Sequence, residues 1–166
     1  MTEVYTFFTE HGDEYRLQFT TDRSNLIADN ILDLLEQKGV EVIELGLARV
    51  SGTNITKHKM LNHIEECVAG LMQRRPNAIL CYFCDFIHLV PSKKKDITVQ
   101  EYRSRMFSAM FKRYVSQRHL NDIFDDEIKI KGVAETFYFH IIYHKRHKAY
   151  AEMIAEGHHK DFDKPE

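Results

Sequence analysis

The chain has 166 residues, of which 43% are hydrophobic and 29% charged, and its net charge at pH 7 is −2. This length is typical of one domain with an ordinary hydrophobic core, and the near-neutral charge disfavours indiscriminate binding to nucleic acid. No apolar run approaches the roughly 20 residues of a membrane span, and the first residues lack the pattern of a secretory signal peptide. We therefore expect a soluble, cytoplasmic protein without a membrane partner.

Two short β runs open the chain, and a helix follows them. Residues 4–9 and 14–20 are rich in β-branched and aromatic side chains and flank a Gly-Asp turn, which favours a hairpin. In the second run apolar and polar residues alternate, the period of a half-buried strand. A helix is predicted next, with Asp22 or Ser24 as its N-cap and Gly39 just beyond its end.

The centre of the chain alternates strands with helices. The patterns predict strands over 40–50 and 78–84, a helix over 56–73 between them, and a longer helix over 98–119. Thr98 and Glu101 form a capping box at the start of the longer helix.

Two strands and a helix complete the pattern. Strands are predicted over 127–131 and 136–145, and a helix over 147–156 that ends at Gly157. The order is ββαβαβαββα, with antiparallel hairpins at both ends. The sequence therefore predicts a single α+β domain over 1–157, with a mixed or mostly antiparallel sheet of about six strands and helices packed on it, and a polar tail over 158–166.

Arg103 is the main candidate for a functional residue, because it falls near the centre of the apolar face of the 98–119 helix. Arginine is rarely buried without a partner. One interpretation is a structural ion pair with Asp85, at the end of the preceding strand. The other is an anion site for phosphate or carboxylate, because the planar guanidinium group of arginine can bind two oxygens of one anion. Its residues would be Arg103, Arg105, Lys93, Lys94 and Lys95.

Cys81 and Cys84 match the Cys-x-x-Cys motif, but they lie inside an apolar predicted strand. Strand residues three apart face opposite sides, so we interpret both as small core residues. A zinc site with His63 and Cys67 is disfavoured, because zinc ligand pairs normally lie on a turn. We predict no metal and no cofactor.

His140 and His144 share one face of the last predicted strand, roughly 13 Å apart, too far to hold one metal together. They are the weak catalytic candidates, together with Arg103. The alternative is that they lie on a solvated polar face. Common nucleotide-binding, hydrolase and metalloprotease motifs are absent.

A strand ending in Cys-Asp, a helix with Arg103, Arg105 and Phe107, and a strand ending in Ile-Tyr-His-Lys (142–145) form a recognisable combination. Through this combination the chain resembles a family of small Bacteroidetes-type bacterial proteins, a domain of unknown function. The resemblance spans most of the chain and implies a single domain of bacterial origin, but it implies no activity.

Three hypotheses about function stay open. The first is a non-catalytic binding or regulatory module, whose basic region around 92–118 binds an acidic protein, nucleic acid or a small anion. The second is a metal-independent phosphodiesterase or toxin-like nuclease, in which Arg103 or Arg105 stabilises negative charge and His140 or His144 transfers protons. The third is a homo-oligomeric interaction domain, in which residues 136–145 form an exposed sheet edge.

Overall fold

A mixed sheet lies between two layers of helices in the computed structural model, which describes residues 2–21, 27–52, 58–83, 99–131 and 136–163. The strands are β1 (Thr2–Phe8), β2 (Glu14–Thr20), β3 (Glu41–Ser51), β4 (Ala78–Phe83), β5 (Ile123–Lys131) and β6 (Thr136–His144). The helices are α1 (Asp29–Gln37), α2 (His58–Arg74), α3 (Val99–Gln117) and α4 (Lys148–Asp163), and a 3-10 turn (Lys145–His147) leads into α4.

The described strands form one six-stranded sheet in the order β1-β2-β3-β4-β6-β5. β3 and β4 are parallel, and the other neighbouring pairs are antiparallel. The predicted order of elements is confirmed, and so is the α+β class with a mixed sheet. In this order β1 and β5 are the edge strands.

Alternation along the strands separates two apolar cores, one on each side of the sheet. On one side, the α2–α3 face, Tyr15, Leu17 and Phe19 of β2 are fully buried with residues of α2 and α3. On the other side, the α1–α4 face, Ile79 of β4 and Ile141 of β6 pack with residues of α1 and α4. Along β4 and β6, successive positions therefore alternate between the two cores.

The predicted start of α1 and the predicted end of α4 are both wrong. α1 begins at Asp29 after Ala28, which makes no side-chain capping bond, while Asp22 and Ser24 lie outside the described residues. α4 runs through Gly157 to Asp163, six residues into the predicted tail. A Cβ built on Gly157 would stand 2.7 Å from Ile31 Cδ1, so this glycine permits close packing of α4 on α1 instead of ending the helix.

Two predictions about the last strands also need correction. β5 begins at Ile123, four residues before the predicted start at 127, so Asp125 and Asp126 also lie within the strand. β6 is not a sheet edge, because it pairs with β4 on one side and with β5 on the other. Its Phe139, Ile141 and Tyr143 pack with residues of α4, and Tyr138 and Ile142 pack with residues of α3. Among the described strands, β5 forms the edge on this side of the sheet.

None of the helices in the described ranges combines the length and the apolar character that crossing a membrane requires.

Candidate functional site

Polar side chains from three elements meet beneath α3. Asp125 and Glu127 are two residues apart on β5, so they share a face. Glu127 is the cross-strand partner of His140 on β6, which in turn is opposite Tyr82 on β4. Ser104, in the second turn of α3, comes down onto this row. The site is thus assembled by strand register and by one face of one helix.

A continuous chain of hydrogen bonds joins four of these side chains. His140 Nδ1 donates to Asp125 Oδ1 over 2.9 Å, and His140 Nε2 lies 2.7 Å from Ser104 Oγ. The Ser104 hydroxyl also contacts Glu127 Oε2. We call Glu127, Ser104, His140 and Asp125 the polar chain. Its serine–histidine–aspartate order and spacing are those that activate serine nucleophiles in hydrolases.

The three contacts of the polar chain require three hydrogens. The Ser104 hydroxyl supplies one and His140 Nδ1 another, so the third belongs either to His140 Nε2 or to Glu127. In the first case Nε2–H donates to Ser104, which donates to Glu127. In the second case both bonds run in the opposite sense. In the two arrangements the Ser104 hydroxyl donates to different partners, to Glu127 in the first and to His140 Nε2 in the second.

Burial differs sharply along the polar chain. Ser104, His140 and the Asp125 side chain have no exposed surface, whereas the Glu127 side chain is 24% exposed. Tyr82 stacks on the His140 ring with centroids 4.8 Å apart, and Phe107 meets it edge-on at 6.0 Å. Glu127 is therefore the member through which solvent or a ligand reaches the chain.

Glu127 opens onto a groove of about 630 Å³ at the outer edge of β5. We call it the β5-edge groove. Its lining residues are Arg105, Ser108, Ala109 and Lys112 of α3, Asp125, Asp126, Glu127 and Ile128 of β5, and Ala155 of α4.

The charges of the groove are divided between its walls. Arg105 of α3 forms an ion pair with Glu101, at 2.6 Å, one helical turn away. On the β5 side, Asp125 accepts a 2.7 Å bond from Ser108, and Asp126 accepts one of 2.7 Å from Tyr143 on the α1–α4 face. Burial, and then the bond to Asp126, raise the pKa of the Tyr143 hydroxyl. The carboxylates of β5 are therefore held by hydroxyl donors, and their excess leaves this wall acidic.

The structure separates the residues predicted to bind an anion. Asp85, Lys93, Lys94 and Lys95 lie outside the described residues, and so does the Arg103 side chain, although its backbone belongs to α3. The Asp85–Arg103 ion pair therefore stays a prediction. Arg105 lies in the β5-edge groove with 59% of its side chain exposed.

The two predicted histidines have different environments. The solvated face is the wrong interpretation for His140, because α3 covers it completely. His144 Nε2 donates to the Met72 carbonyl of α2 over 2.8 Å. The structure brings His140, but not His144, into the polar chain.

The described ranges contain neither a disulfide nor a metal centre. Cys81 is buried on the α1–α4 face, and burial raises the pKa of its thiol, whereas Cys84 lies outside those ranges. In the same ranges no group of three or more His, Cys, Asp or Glu side chains is arranged to hold a metal ion.

Ser104, Asp125 and Glu127 are functional candidates that the sequence did not predict. The buried face of α3 contains Ser104, Phe107 and Phe111, nearly a quarter turn away from the face centred on Arg103. The available signal was the spacing of Asp125 and Glu127, which share a strand face, but it becomes visible only when the strand is started at Ile123.

No protein-family model, curated protein or solved structure matches this chain. The resemblance to a Bacteroidetes-type family stays a prediction.

Proposed function

We propose that this protein is a non-catalytic binding module that takes an extended polypeptide segment in the β5-edge groove. The observation that carries the proposal is that four consecutive β5 residues, 125 to 128, line this one groove. Consecutive strand residues point to opposite faces of a sheet. A groove that touches all four, with α3 above and Ala155 of α4 below, therefore runs along the strand edge.

An edge strand offers main-chain donors and acceptors to an added strand. Within the described ranges β5 pairs with β6 alone, and the groove leaves room on its other side. Main-chain hydrogen bonds would supply affinity, and side-chain pairs on the two faces would supply specificity.

The charges of this site favour a polypeptide over a small anion. Arg105 already has Glu101 as a partner, and the carboxylates of Asp125, Asp126 and Glu127 outnumber Arg105 and Lys112 in the lining of the groove. An anion would approach those carboxylates at an unfavourable electrostatic cost. An extended segment is able to place basic side chains opposite Asp126 and Glu127 instead.

The probe for this proposal is a synthetic peptide with the sequence of residues 123–131, injected over full-length protein captured sparsely on a sensor surface, so that the captured copies stay apart. We expect saturable binding. Ala109→Trp should reduce it at least tenfold, because Ala109 is an exposed helix residue that lines the groove.

The matched control is Ala48→Trp, at an exposed position on β3 that lines a different pocket. It should leave binding unchanged. Absence of binding to the wild type, or equal loss in both variants, would refute strand addition.

The distances in the polar chain favour a second candidate function, serine-dependent hydrolysis. Ser104 Oγ would bond to an acyl carbon while its proton passes to His140 Nε2, and the leaving alcohol would take that proton. Water would then release the acid and regenerate Ser104. This function ranks second because Ser104 Oγ has no exposed surface and an acyl carbon has to approach it closely. Direct proton transfer from His140 to a phosphodiester meets the same obstacle.

A fluorophosphonate probe, which a reactive serine attacks with loss of fluoride, tests the second candidate. Labelling of Ser104 in the wild type, found by peptide mass spectrometry and lost in Ser104→Ala, would favour hydrolysis. An unlabelled protein would eliminate it.

A further inference from the structure

We infer that the segment bound in the β5-edge groove is β5 of a second copy of this chain, paired antiparallel about a two-fold axis. The inference rests on the proposed function and names its partner. It starts from the order of charges along β5, in which Asp125, Asp126 and Glu127 precede Lys129 and Lys131. A strand that is acidic in its first half and basic in its second is complementary to itself when antiparallel.

The faces of the sheet restrict the register. A two-fold axis perpendicular to the sheet keeps each helical layer on its own side, so odd-numbered β5 residues, which face α3, pair with odd-numbered residues of the second copy. Centring the pair on Ile128 places Glu127 opposite the second copy's Lys129, and symmetry repeats this pair. Centring it on Glu127 would place that residue opposite itself, and like charges directly opposite each other destabilise a sheet.

Exposure of the side chains identifies the pair that matters most. Lys129 is exposed and Glu127 is partly exposed, so both are accessible to a second copy. The same register places Asp125 opposite the second copy's Lys131, but the Asp125 side chain is fully buried in the polar chain. The Glu127–Lys129 pair should therefore contribute more than the Asp125–Lys131 pair.

Exposed aromatic residues support the same surface independently. Phe124 of β5 and Phe137 of β6 are 41% and 42% exposed, and both lie on the α1–α4 face beside this edge. They lie near opposite ends of β5, so a two-fold pair brings Phe124 of one copy toward the second copy's Phe137. Exposed apolar groups gathered beside one edge are typical of an interface.

The inference is tested by light scattering coupled to size-exclusion chromatography. We expect the wild type to have twice the chain mass, and the double variant Lys129→Glu, Lys131→Glu to dimerise at least tenfold more weakly. The double variant Lys38→Glu, Lys59→Glu makes the same change of net charge at exposed positions outside β5, and it should remain dimeric.

A zero-length carbodiimide cross-link defines the register. In a mixture of isotopically light and heavy copies, mass spectrometry should find mixed-label peptides that join Glu127 to Lys129. Mixed-label links that exclude this pair would overturn the proposed register.

The remaining outcomes separate this inference from the proposed function. A monomeric wild type that still binds the 123–131 peptide would overturn the second copy as occupant and leave strand addition standing. A dimer that is weakened neither by the double variant Lys129→Glu, Lys131→Glu nor by Ala109→Trp would place self-association on another surface. This result would overturn the inference. A monomer that does not bind the peptide would overturn both.

Discussion

Ser104 and His140 are 36 residues apart in the chain, yet the serine hydroxyl lies 2.7 Å from the imidazole Nε2 in the interior of the protein. The contact attaches α3 to β6, and Glu127 and Asp125 extend it onto β5. Three elements are thereby fixed at one buried polar position.

Replacing Ser104 with alanine should destabilise the protein. The substitution removes the hydroxyl that joins His140 to Glu127, and it leaves buried polar atoms unsatisfied. We expect the free energy of unfolding to fall by about 1–3 kcal/mol, measured by urea denaturation. Ser116→Ala, at an exposed position on the same helix, should change it by less than about 0.5 kcal/mol. Equal effects of the two variants would contradict a stabilising role for the polar chain.

Glu65 should make the protein less stable as the pH rises. This α2 side chain is buried, its Oε1 has no hydrogen-bond partner in the described part of the chain, and burial raises its pKa from 4.5 to about 8 despite the nearby charge of Arg113. Between these values the unfolded chain has lost the proton that the folded protein keeps. Each pH unit therefore lowers the free energy of unfolding by about 1.4 kcal/mol.

The variant Glu65→Gln should remove this dependence and be more stable than the wild type at pH 8. Urea titrations between pH 5 and 9 measure it, with Glu66→Gln, at the exposed neighbouring position, as control. If the wild type and Glu65→Gln differ by a constant amount across this range, Glu65 is not the group responsible.

Gly52 and Gly12 provide a matched pair of left-handed positions. Their φ values are +98° and +82°, but a Cβ on Gly52 would overlap the Asp13 side chain, whereas one on Gly12 meets nothing within 4 Å. Gly12→Ala should cost about 1 kcal/mol from its backbone conformation alone. Gly52→Ala should cost clearly more, since Asp13 also has to move. Thermal unfolding of both variants checks the ranking, and the reverse order would show that Asp13 yields easily.

His147 should destabilise the protein in acid. It is buried, its Nδ1 has no hydrogen-bond partner among the described residues, and burial, followed by Arg146 and His144, lowers its pKa below the ordinary 6.5. Below pH 6.5 the unfolded state therefore binds a proton more readily than the folded state, so the free energy of unfolding decreases as the pH decreases. His147→Phe keeps a ring beside Tyr150 and should flatten the loss between pH 7 and 5 in chemical denaturation. An unchanged slope would exclude His147 as its source.

The element order was predictable because each element carries its own periodicity. Tyr15, Leu17 and Phe19 alternate with polar residues, and all three are fully buried. Boundaries were less predictable, because they depend on contacts between distant residues. Gly157 is typical of a helix end, yet it lies inside α4 where Ile31 packs against it.

The candidate site was predictable only in part. The sequence identified His140 as a weak catalytic candidate, with a solvated polar face as the alternative. α3 covers that face, and Ser104 and Asp125 supply the hydrogen bonds that offset the free-energy cost of burying the His140 ring.

Local patterns in the sequence alone determined the α+β class, the order of the elements and the self-complementary charges of β5, since each depends on residues close together in the chain. Tertiary structure alone decided which strand became the exposed edge and which face of α3 was buried. Strand order and helix orientation depend on long-range packing, which is where the polar chain and the β5-edge groove arise.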